Sequence, residues 1–155
     1  MAKEIMRRRA ADNRYLHKDF HGALSVGLDY LRDQYGEQAV RDYLRQFARR
    51  FYAPLTEQLK QRGLPALKEH FESVYRDEEG DVRFTLNDDE LIVDVAACPA
   101  VMHMRASGYA VSPLFHETSA TVNRAICEET DFDAELCDYD EETGRARQRF
   151  FRRTT

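Results

Sequence analysis

The sequence predicts an α+β fold in which N-terminal helices pack on a four-stranded antiparallel sheet, with one helix inserted between two hairpins. The first half of the chain repeats its apolar residues at helical spacing, whereas the second half alternates apolar and polar residues at strand spacing. Short charged turns join the strands in pairs, and tight turns require antiparallel pairing. We therefore expect one domain over 1–155, with a helical part over about 15–76 and a hairpin–helix–hairpin part over about 81–153.

The composition is that of an ordinary globular chain. Its 155 residues are 43% hydrophobic and 33% charged, which is enough apolar material for a core. No apolar run approaches the roughly 20 residues of a membrane helix, and the first residues lack the apolar segment of a signal peptide, so we expect a cytoplasmic protein without a membrane partner. The net charge of −5 argues against nucleic acid as a partner. Three cysteines without close pairing indicate reduced thiols.

The first helix is predicted from about Tyr15 to Tyr35, and it carries two histidines. Its apolar stripe consists of Phe20, Leu24, Leu28, Leu31 and Tyr35. At about 100° per residue, His17 and His21 fall on this same stripe, one turn apart. Two alternatives follow: the pair lines a pocket or binds a divalent transition metal such as zinc, manganese or iron, or each ring is satisfied by a backbone carbonyl.

Two further helices are predicted in the helical part. The second covers 37–60, and its predicted buried face is made of Val40, Tyr43, Leu44, Phe47 and Phe51. Pro54 lacks a backbone donor, so this helix should kink or divide near Tyr52. The third covers 66–75 and is opened by Pro65, since proline is tolerated in a first turn.

Alternating residues predict four strands in the second half. The first two cover 82–86 and 90–97 and form a hairpin around the Asn87-Asp88-Asp89 turn. The last two cover 132–139 and 145–152 and flank a second turn over 140–144. On the third strand, strict alternation puts Phe132, Ala134 and Leu136 on one face, with Cys137 and Tyr139 on the other.

The helix inserted between the hairpins is predicted to begin at Ser112 and Pro113 and to end at about Cys127. Its core stripe consists of Phe115, Thr118 or Ser119, Val122 and Ile126. His116, Asn123 and Cys127 form a second stripe about 100° away, which either lines a polar pocket or is an exposed flank. Glu117 lies near the helix N-terminus, where the helix dipole stabilises its charge.

Cys98 ends the second strand directly before Pro99, which stops the ladder and turns the chain. A thiol at a strand end can face a pocket, where His103 or His116 would take its proton to make a nucleophilic thiolate. The same thiol and one of these histidines would also suit zinc or iron. A small buried core residue is the remaining alternative for Cys98, and we expect Cys127 and Cys137 to be inert.

At these residues the chain resembles a known family. The strand into Cys98-Pro99, the Gly108-Tyr109 corner, the helix ending at Ile126-Cys127-Glu128 and the two closing strands are similar to the L-2-amino-thiazoline-4-carboxylic acid hydrolase-like family, over roughly 18–152. The resemblance implies ring opening of a small cyclic amidine-like acid by water, as in bacterial breakdown of thiazoline acids, and it carries over Cys98 alone. The layout also resembles the ligand-binding domains related to 4-vinyl reductases, although the late cysteines lack a Cys-x-x-Cys pairing.

Three functional hypotheses follow from the sequence. In a hydrolase, Cys98 is the nucleophile or a metal ligand, a histidine is the base and Glu117 an acid or orienting group. Arg105 would hold a substrate carboxylate through a bidentate pair, with Tyr109 and Asn123 as further substrate-binding residues. In a non-catalytic small-ligand- or metal-binding module, the nine Phe and eight Tyr would line a pocket beside the histidine pair. In an interaction domain all these residues are structural. An exposed face of the kinked second helix would serve a homodimer.

Overall fold

The computed structural model describes residues 18–154, which form six helices and one four-stranded antiparallel sheet. The elements are, in chain order, α1 (Asp19–Tyr35), α2 (Glu37–Phe51), α3 (Ala53–Arg62), α4 (Leu64–Asp77), β1 (Val82–Leu86), β2 (Glu90–Val95), α5 (Pro99–Ala106), α6 (Glu117–Cys127), β3 (Phe132–Tyr139) and β4 (Ala146–Arg152). The α+β class and the antiparallel sheet are thereby confirmed. Over the described residues, no helix combines the length and the apolar composition needed to cross a bilayer.

The sheet has the strand order β1-β2-β4-β3, so the closing strand lies between the two hairpins. Its inner face is apolar, with Leu91, Val93 and Phe150 fully buried under α4 and α6. Its outer face carries ion pairs between neighbouring strands. Arg149 bridges Glu135 at 2.8 Å and Glu90 at 3.3 Å. A sheet with one covered face and one charged face is the usual antiparallel arrangement, and it directs any enclosed site to the inner side.

The predicted division of the second helix is confirmed. Helix α2 ends at Phe51 and α3 begins at Ala53, with Tyr52 between them and Pro54 in the first turn of α3. Proline fits there because the first N–H groups of a helix have no partner inside that helix.

The aromatic members of the stripes predicted for the first two helices are exposed, so that part of the prediction is wrong. On α1 these are Phe20 and Tyr35, and on α2 they are Tyr43, Phe47 and Phe51. The buried residues of α2 are instead Val40, Leu44 and Ala48, which follow one another at four-residue spacing. The aromatic stripe lies beside this buried stripe on the same helix, and the prediction merged the two.

Two helices, rather than one, lie between the hairpins. Helix α5 follows Cys98, and α6 begins at Glu117 instead of Ser112–Pro113. The preceding residues are held by α1, because buried Ser25 accepts a hydrogen bond from the Ser112 N–H at 2.7 Å and donates one to the Ala110 carbonyl at 3.0 Å. This long-range contact fixes the backbone of Ser112, and residues 113–116 form hydrogen-bonded turns before α6 begins.

Strand β3 contains an irregularity that reverses the predicted orientation of Tyr139. The pairing with β4 runs from Leu136↔Gln148 to Asp138↔Arg147, which leaves Cys137 as an extra residue. Such a β-bulge shifts the alternation by one residue. Tyr139 therefore pairs with Ala146 and packs against the core, whereas Cys137 is exposed.

Candidate functional site

Cys98 lies at the junction of β2, α5 and the β3–β4 turn. Its backbone is extended (φ −76°, ψ 120°), and it caps α5, whose first residue is Pro99. The Cys98 N–H donates to the Thr143 carbonyl at 2.9 Å, while the Cys98 carbonyl accepts from the Met102 N–H at 2.9 Å. The backbone of Cys98 is therefore fixed on both sides.

Gly144 in the β3–β4 turn packs directly on Cys98. Its φ is +69°, and a Cβ at this position would collide with the Cys98 Cβ and lie 2.9 Å from Val101 Cγ2. Both the backbone conformation and the close approach require glycine. The turn thus closes one side of the site with backbone alone.

The Cys98 side chain lines a small cavity beneath the inner face of the sheet. Its volume is about 20 Å³, which is room for about one water molecule. Five other lining residues carry polar side chains: Tyr75 from α4, Thr118 and Ser119 from α6, Tyr139 from β3 and Gln148 from β4. Cys98 is thus surrounded by hydrogen-bonding groups that come from four separate elements.

The surroundings of Cys98 favour the protonated thiol. Burial raises the pKa of the Cys98 thiol above its ordinary value, and the N–H groups of Val101 and Ala100 at the start of α5 oppose this shift only in part. A thiol of this kind reacts while protonated or after losing its proton to another group.

A buried chain of amides leads to the Tyr75 hydroxyl. Asn123 Nδ2 donates to Gln148 Oε1 at 2.6 Å, and Gln148 Nε2 donates to Tyr75 Oη at 3.4 Å. Burial raises the pKa of Tyr75, and it raises the pKa of Tyr139 to about 12. The neighbouring Cys98 contributes to both shifts, and the three residues line the same cavity.

The predicted catalytic histidines have other partners. His103 Nε2 lies 3.1 Å from Asp19 Oδ1, and His116 Nδ1 lies 3.0 Å from the Pro113 carbonyl oxygen. Within residues 18–154 neither ring forms a hydrogen bond with Cys98. The His116 ring centroid is 5.7 Å from that of Tyr139, so this histidine reaches the edge of the site through the tyrosine.

Glu117 belongs to an ion pair that joins α2 and α6. Its carboxylate accepts from Arg41 Nε at 2.9 Å and from Thr121 Oγ1 at 2.6 Å. Burial favours the protonated acid, but the hydrogen bonds from Thr121 and Arg41 outweigh it and lower the pKa of Glu117. Both carboxylate oxygens are therefore occupied by protein groups.

The predicted substrate-binding residues lie in different places. Arg105 donates to the Glu141 carbonyl at 3.0 Å and thereby ties α5 to the β3–β4 turn. Tyr109 is exposed and its hydroxyl lies 3.4 Å from Asp19 Oδ1. Only Asn123 is connected to the cavity, and this connection passes through Gln148.

The predicted metal pair includes one residue that the structure does not describe. His17 lies outside the described residues, and His21 Nε2 is 3.5 Å from Glu78 Oε1. Across residues 18–154, no group of three or more His, Cys, Asp or Glu side chains is arranged to hold a metal ion.

The five polar residues that line the cavity with Cys98 were not singled out from the sequence as site residues, although one of them gave a signal. Gln148 sits between Ala146 and Phe150 on the inward positions of β4, and a polar residue there is unusual in a half-buried strand. Strict alternation assigned Tyr139 to the opposite face, Thr118 or Ser119 was assigned to a core stripe, and Tyr75 was expected only as the end of the third helix.

Comparison with known protein families found no family model that matches this chain, and comparison with curated proteins found no match. The resemblance to the L-2-amino-thiazoline-4-carboxylic acid hydrolase-like family therefore stays a prediction.

Proposed function

We propose that this protein is a hydrolase that opens a small cyclic amidine-like carboxylic acid, with Cys98 as its nucleophile. The supporting observation is that Cys98 lines a small cavity together with several residues that carry hydroxyl groups. Cys127 is buried in the core, where burial raises its pKa to about 12, and Cys137 is exposed on the outer side of the bulge. The family resemblance supplies the substrate class.

A neutral thiol suits a basic amidine substrate. The Cys98 sulfur bonds to the amidine carbon while its proton passes to the doubly bonded nitrogen, so no histidine base is needed for the attack. Collapse of the adduct breaks a ring bond, and the ring heteroatom leaves with the proton that the thiol supplied. Water then adds across the remaining C=N bond, so that its oxygen bonds to the same carbon and one of its protons goes to nitrogen. The carbon–sulfur bond breaks as the C=O bond forms, and sulfur takes up the other proton.

We infer that the substrate enters through a thin wall beside Cys98. A Cβ on Gly80 would lie 2.8 Å from the Tyr75 ring and 3.1 Å from Pro99 Cγ, so these three residues are in close contact. On their other side lies an open groove of about 440 Å³, which is lined by Gly80, Pro99 and His103 among others. We therefore place the substrate's path at this wall, where displacement of one ring connects the groove with the cavity.

Turnover of 2-amino-thiazoline-4-carboxylate and related cyclic amidines tests the proposal. Cys98→Ser preserves size and should lower turnover by at least about 100-fold. Cys137→Ser is the matched control, because it makes the same change at an exposed position and should leave turnover unaltered. Equal turnover by wild type and Cys98→Ser would remove Cys98 from the reaction, provided that both melt at similar temperatures.

A non-catalytic ligand-binding module is the second candidate. It is favoured by the raised pKa of the Cys98 thiol and by the separate partners of His103 and His116. Native mass spectrometry and metal analysis of freshly purified protein distinguish the two. A retained or added small molecule that binds equally well to Cys98→Ser and is released unchanged would support the module, and a bound divalent metal would support its metal-binding form.

The proposal includes a cytoplasmic location and a homodimer formed through the exposed aromatic stripe of α2. Tyr43, Phe47 and Phe51 are 48%, 40% and 64% exposed, and the rings of Phe47 and Phe51 stack at 5.1 Å. Light scattering should give twice the chain mass for wild type and the single mass for Phe51→Glu. Val26→Glu on α1 is the control, since Val26 is also exposed but lies outside the stripe. A wild-type monomer would exclude the dimer.

A further inference from the structure

A histidine–carboxylate pair lies beside the groove on the outer side of the wall at Pro99. His103 Nε2 of α5 is 3.1 Å from Asp19 Oδ1 of α1, and the Tyr109 hydroxyl donates to the same oxygen at 3.4 Å. An ionised carboxylate only accepts hydrogen bonds, so Nε2 carries the proton and the lone pair of the neutral ring is on Nδ1. Within residues 18–154, Nδ1 has no hydrogen-bond partner.

Asp19 is held in place from a second side by Tyr109. A Cβ on Gly22 would lie 3.1 Å from Tyr109 Cδ2, so the tyrosine ring packs directly on α1, one turn beyond Asp19. Glycine permits this close approach, and the hydroxyl thereby reaches the carboxylate. A carboxylate fixed in this way orients an imidazole and stabilises it when it takes up a proton.

His103 lies one helical turn from the wall. Pro99 and His103 are four residues apart on α5, and both line the open groove of about 440 Å³. Residues at this spacing share one face of a helix, with Cβ atoms roughly 5–6 Å apart. Pro99 directly follows Cys98 in the chain, so the His103 ring stands next to the place where we infer that the substrate enters.

Solvent and charged groups surround the His103 ring. Its side chain is 27% exposed, so water reaches it. The Tyr109 ring lies on the side of Asp19, with its centroid 6.4 Å from that of His103. The groove is lined by four further charged residues, namely Lys18, Glu78, Glu79 and Asp81. The ring thus has a carboxylate at one nitrogen and access to water, which is the arrangement that a general base requires.

We propose that His103, oriented by Asp19, transfers the proton when water hydrolyses the adduct on Cys98. This inference rests on the proposed function, because it presupposes that adduct. As the water oxygen bonds to the carbon held by sulfur, His103 Nδ1 takes one proton from the water and passes it to the nitrogen of the C=N bond. The carbon–sulfur bond then breaks as the C=O bond forms, and sulfur takes up the remaining proton. Asp19 is a positioning residue that keeps the lone pair on Nδ1.

Acetylation of Cys98 by p-nitrophenyl acetate tests this role without a natural substrate. In a Cys137→Ser background, release of nitrophenol reports transfer of the acetyl group to sulfur, and intact mass reports its later loss to water as acetic acid. In that loss His103 would take a proton from water and give it to sulfur. We expect His103→Gln to slow the loss about 10-fold or more, while the acetylation rate changes by less than about threefold.

His21→Gln is the matched control for this variant. His21 also faces a carboxylate, with its Nε2 3.5 Å from Glu78 Oε1, but it does not line the groove. Both rates should therefore stay unchanged in His21→Gln. An equal slowing in the two variants would mean that loss of either ion pair disturbs the fold, and it would overturn proton transfer by His103.

Three further measurements distinguish proton transfer from a structural role. Loss of acetyl by wild type should slow as the pH falls from about 8 to about 5, because a protonated histidine accepts no proton, and His103→Gln should lack this dependence. Imidazole added to His103→Ala should restore part of the rate, since the groove has room for a free ring. Asp19→Asn should slow the loss about 10-fold, because an amide also permits the tautomer with its proton on Nδ1.

The outcomes separate this inference from the proposed function. Slower loss of acetyl in His103→Gln, together with no turnover of cyclic amidines by wild type, would keep proton transfer by His103 and remove the proposed substrate. Turnover of cyclic amidines that requires Cys98 but not His103 would keep the hydrolase and overturn this inference. Equal loss of acetyl in all variants, or no acetylation of Cys98 at all, would also overturn it.

Discussion

Helix α6 contributes to two polar clusters that differ in how completely their hydrogen bonds are used. At its start, Glu117 is bound by Arg41 from α2 and by Thr121 one turn on. Two residues further along the chain, Ser119 lines the Cys98 cavity, where hydroxyl groups have no protein partner within residues 18–154. Glu117 resembles a catalytic acid in the sequence, yet its oxygens are occupied. The difference indicates that unused hydrogen-bonding capacity identifies a candidate site better than the reactive type of a residue does.

The largest effect on stability is expected at Gly144, which packs closely on Cys98. Gly144→Ala should lower the free energy of unfolding by about 3–4 kcal/mol, because the positive φ costs about 1–2 kcal/mol and the collision with Cys98 adds the cost of overpacking. Urea unfolding followed by circular dichroism measures the change.

Gly108→Ala is the control for the backbone contribution. Gly108 has a similar φ of +74°, but a Cβ there meets no atom within 4 Å. We expect Gly108→Ala to lower the free energy of unfolding by only about 1–2 kcal/mol. Equal losses at the two positions would mean that the turn does not pack on Cys98 as tightly as described.

Removal of Asn123 should have the next largest effect. Asn123→Ala leaves Gln148 Oε1 buried without a donor, which costs about 1–3 kcal/mol. The double variant Asn123→Leu/Gln148→Leu removes both partners and should cost less than the sum of the two single variants. Additive losses, measured by urea unfolding, would show that the two amides do not act as a pair.

Glu117→Gln tests the cluster in which the Glu117 carboxylate is fully bonded. We expect the free energy of unfolding to fall by only about 1 kcal/mol, because Arg41 is partly exposed and solvent screens the ion pair. The pKa of Glu117 is lowered in the fold, so its stabilisation is present above the ordinary glutamate pKa of 4.5 and disappears as the pH falls through the lowered value. Unfolding at pH 7 and at pH 3 should therefore show a difference between wild type and variant that shrinks in acid. A difference that grows in acid would contradict the direction of the shift.

The smallest effect is expected at His70, whose ring packs against aromatic side chains and belongs to neither polar cluster. Its ring lies between Tyr52 and Phe71, with centroids 5.6 and 5.3 Å away, and burial lowers the pKa of His70 below its ordinary 6.5. The neutral ring is favoured in the fold, so this histidine costs stability as the pH falls from 6.5 through the lowered value. Wild type should lose more stability than His70→Phe between pH 7.5 and pH 5.5, within roughly 1 kcal/mol. Parallel pH profiles would exclude a lowered pKa.

Strong local signals made much of the fold predictable. The bounds of β1 and β3 and the break of the second helix near Tyr52 follow from alternation and from Pro54, and the structure confirms them. The start of α6 was not predictable in this way, because Ser25 is 87 residues away from the Ser112 backbone that it holds. The orientation of Tyr139 was predicted wrongly for a different reason. A bulge reverses the alternation of a strand without changing its residue types, so the sequence pattern does not indicate it.

The site was predictable only at its centre. Cys98 was singled out as a thiol that precedes a proline at the end of a predicted strand, although β2 ends at Val95, three residues before it. Its neighbours Tyr75, Tyr139 and Gln148 come from α4, β3 and β4, and no spacing rule relates positions so far apart. His103 and His116 are nearer in sequence, but Asp19 and the Pro113 carbonyl hold them elsewhere.

The bulge in β3 also bears on the behaviour of the protein in concentrated solution. Strand β3 lies at the edge of the sheet, and a flat edge presents unpaired backbone groups to which the strand of another molecule can add. The extra residue Cys137 interrupts that edge, and the exposed carboxylate of Asp138 follows it. The irregularity that turns Tyr139 towards the cavity thus also protects the protein from edge-to-edge aggregation.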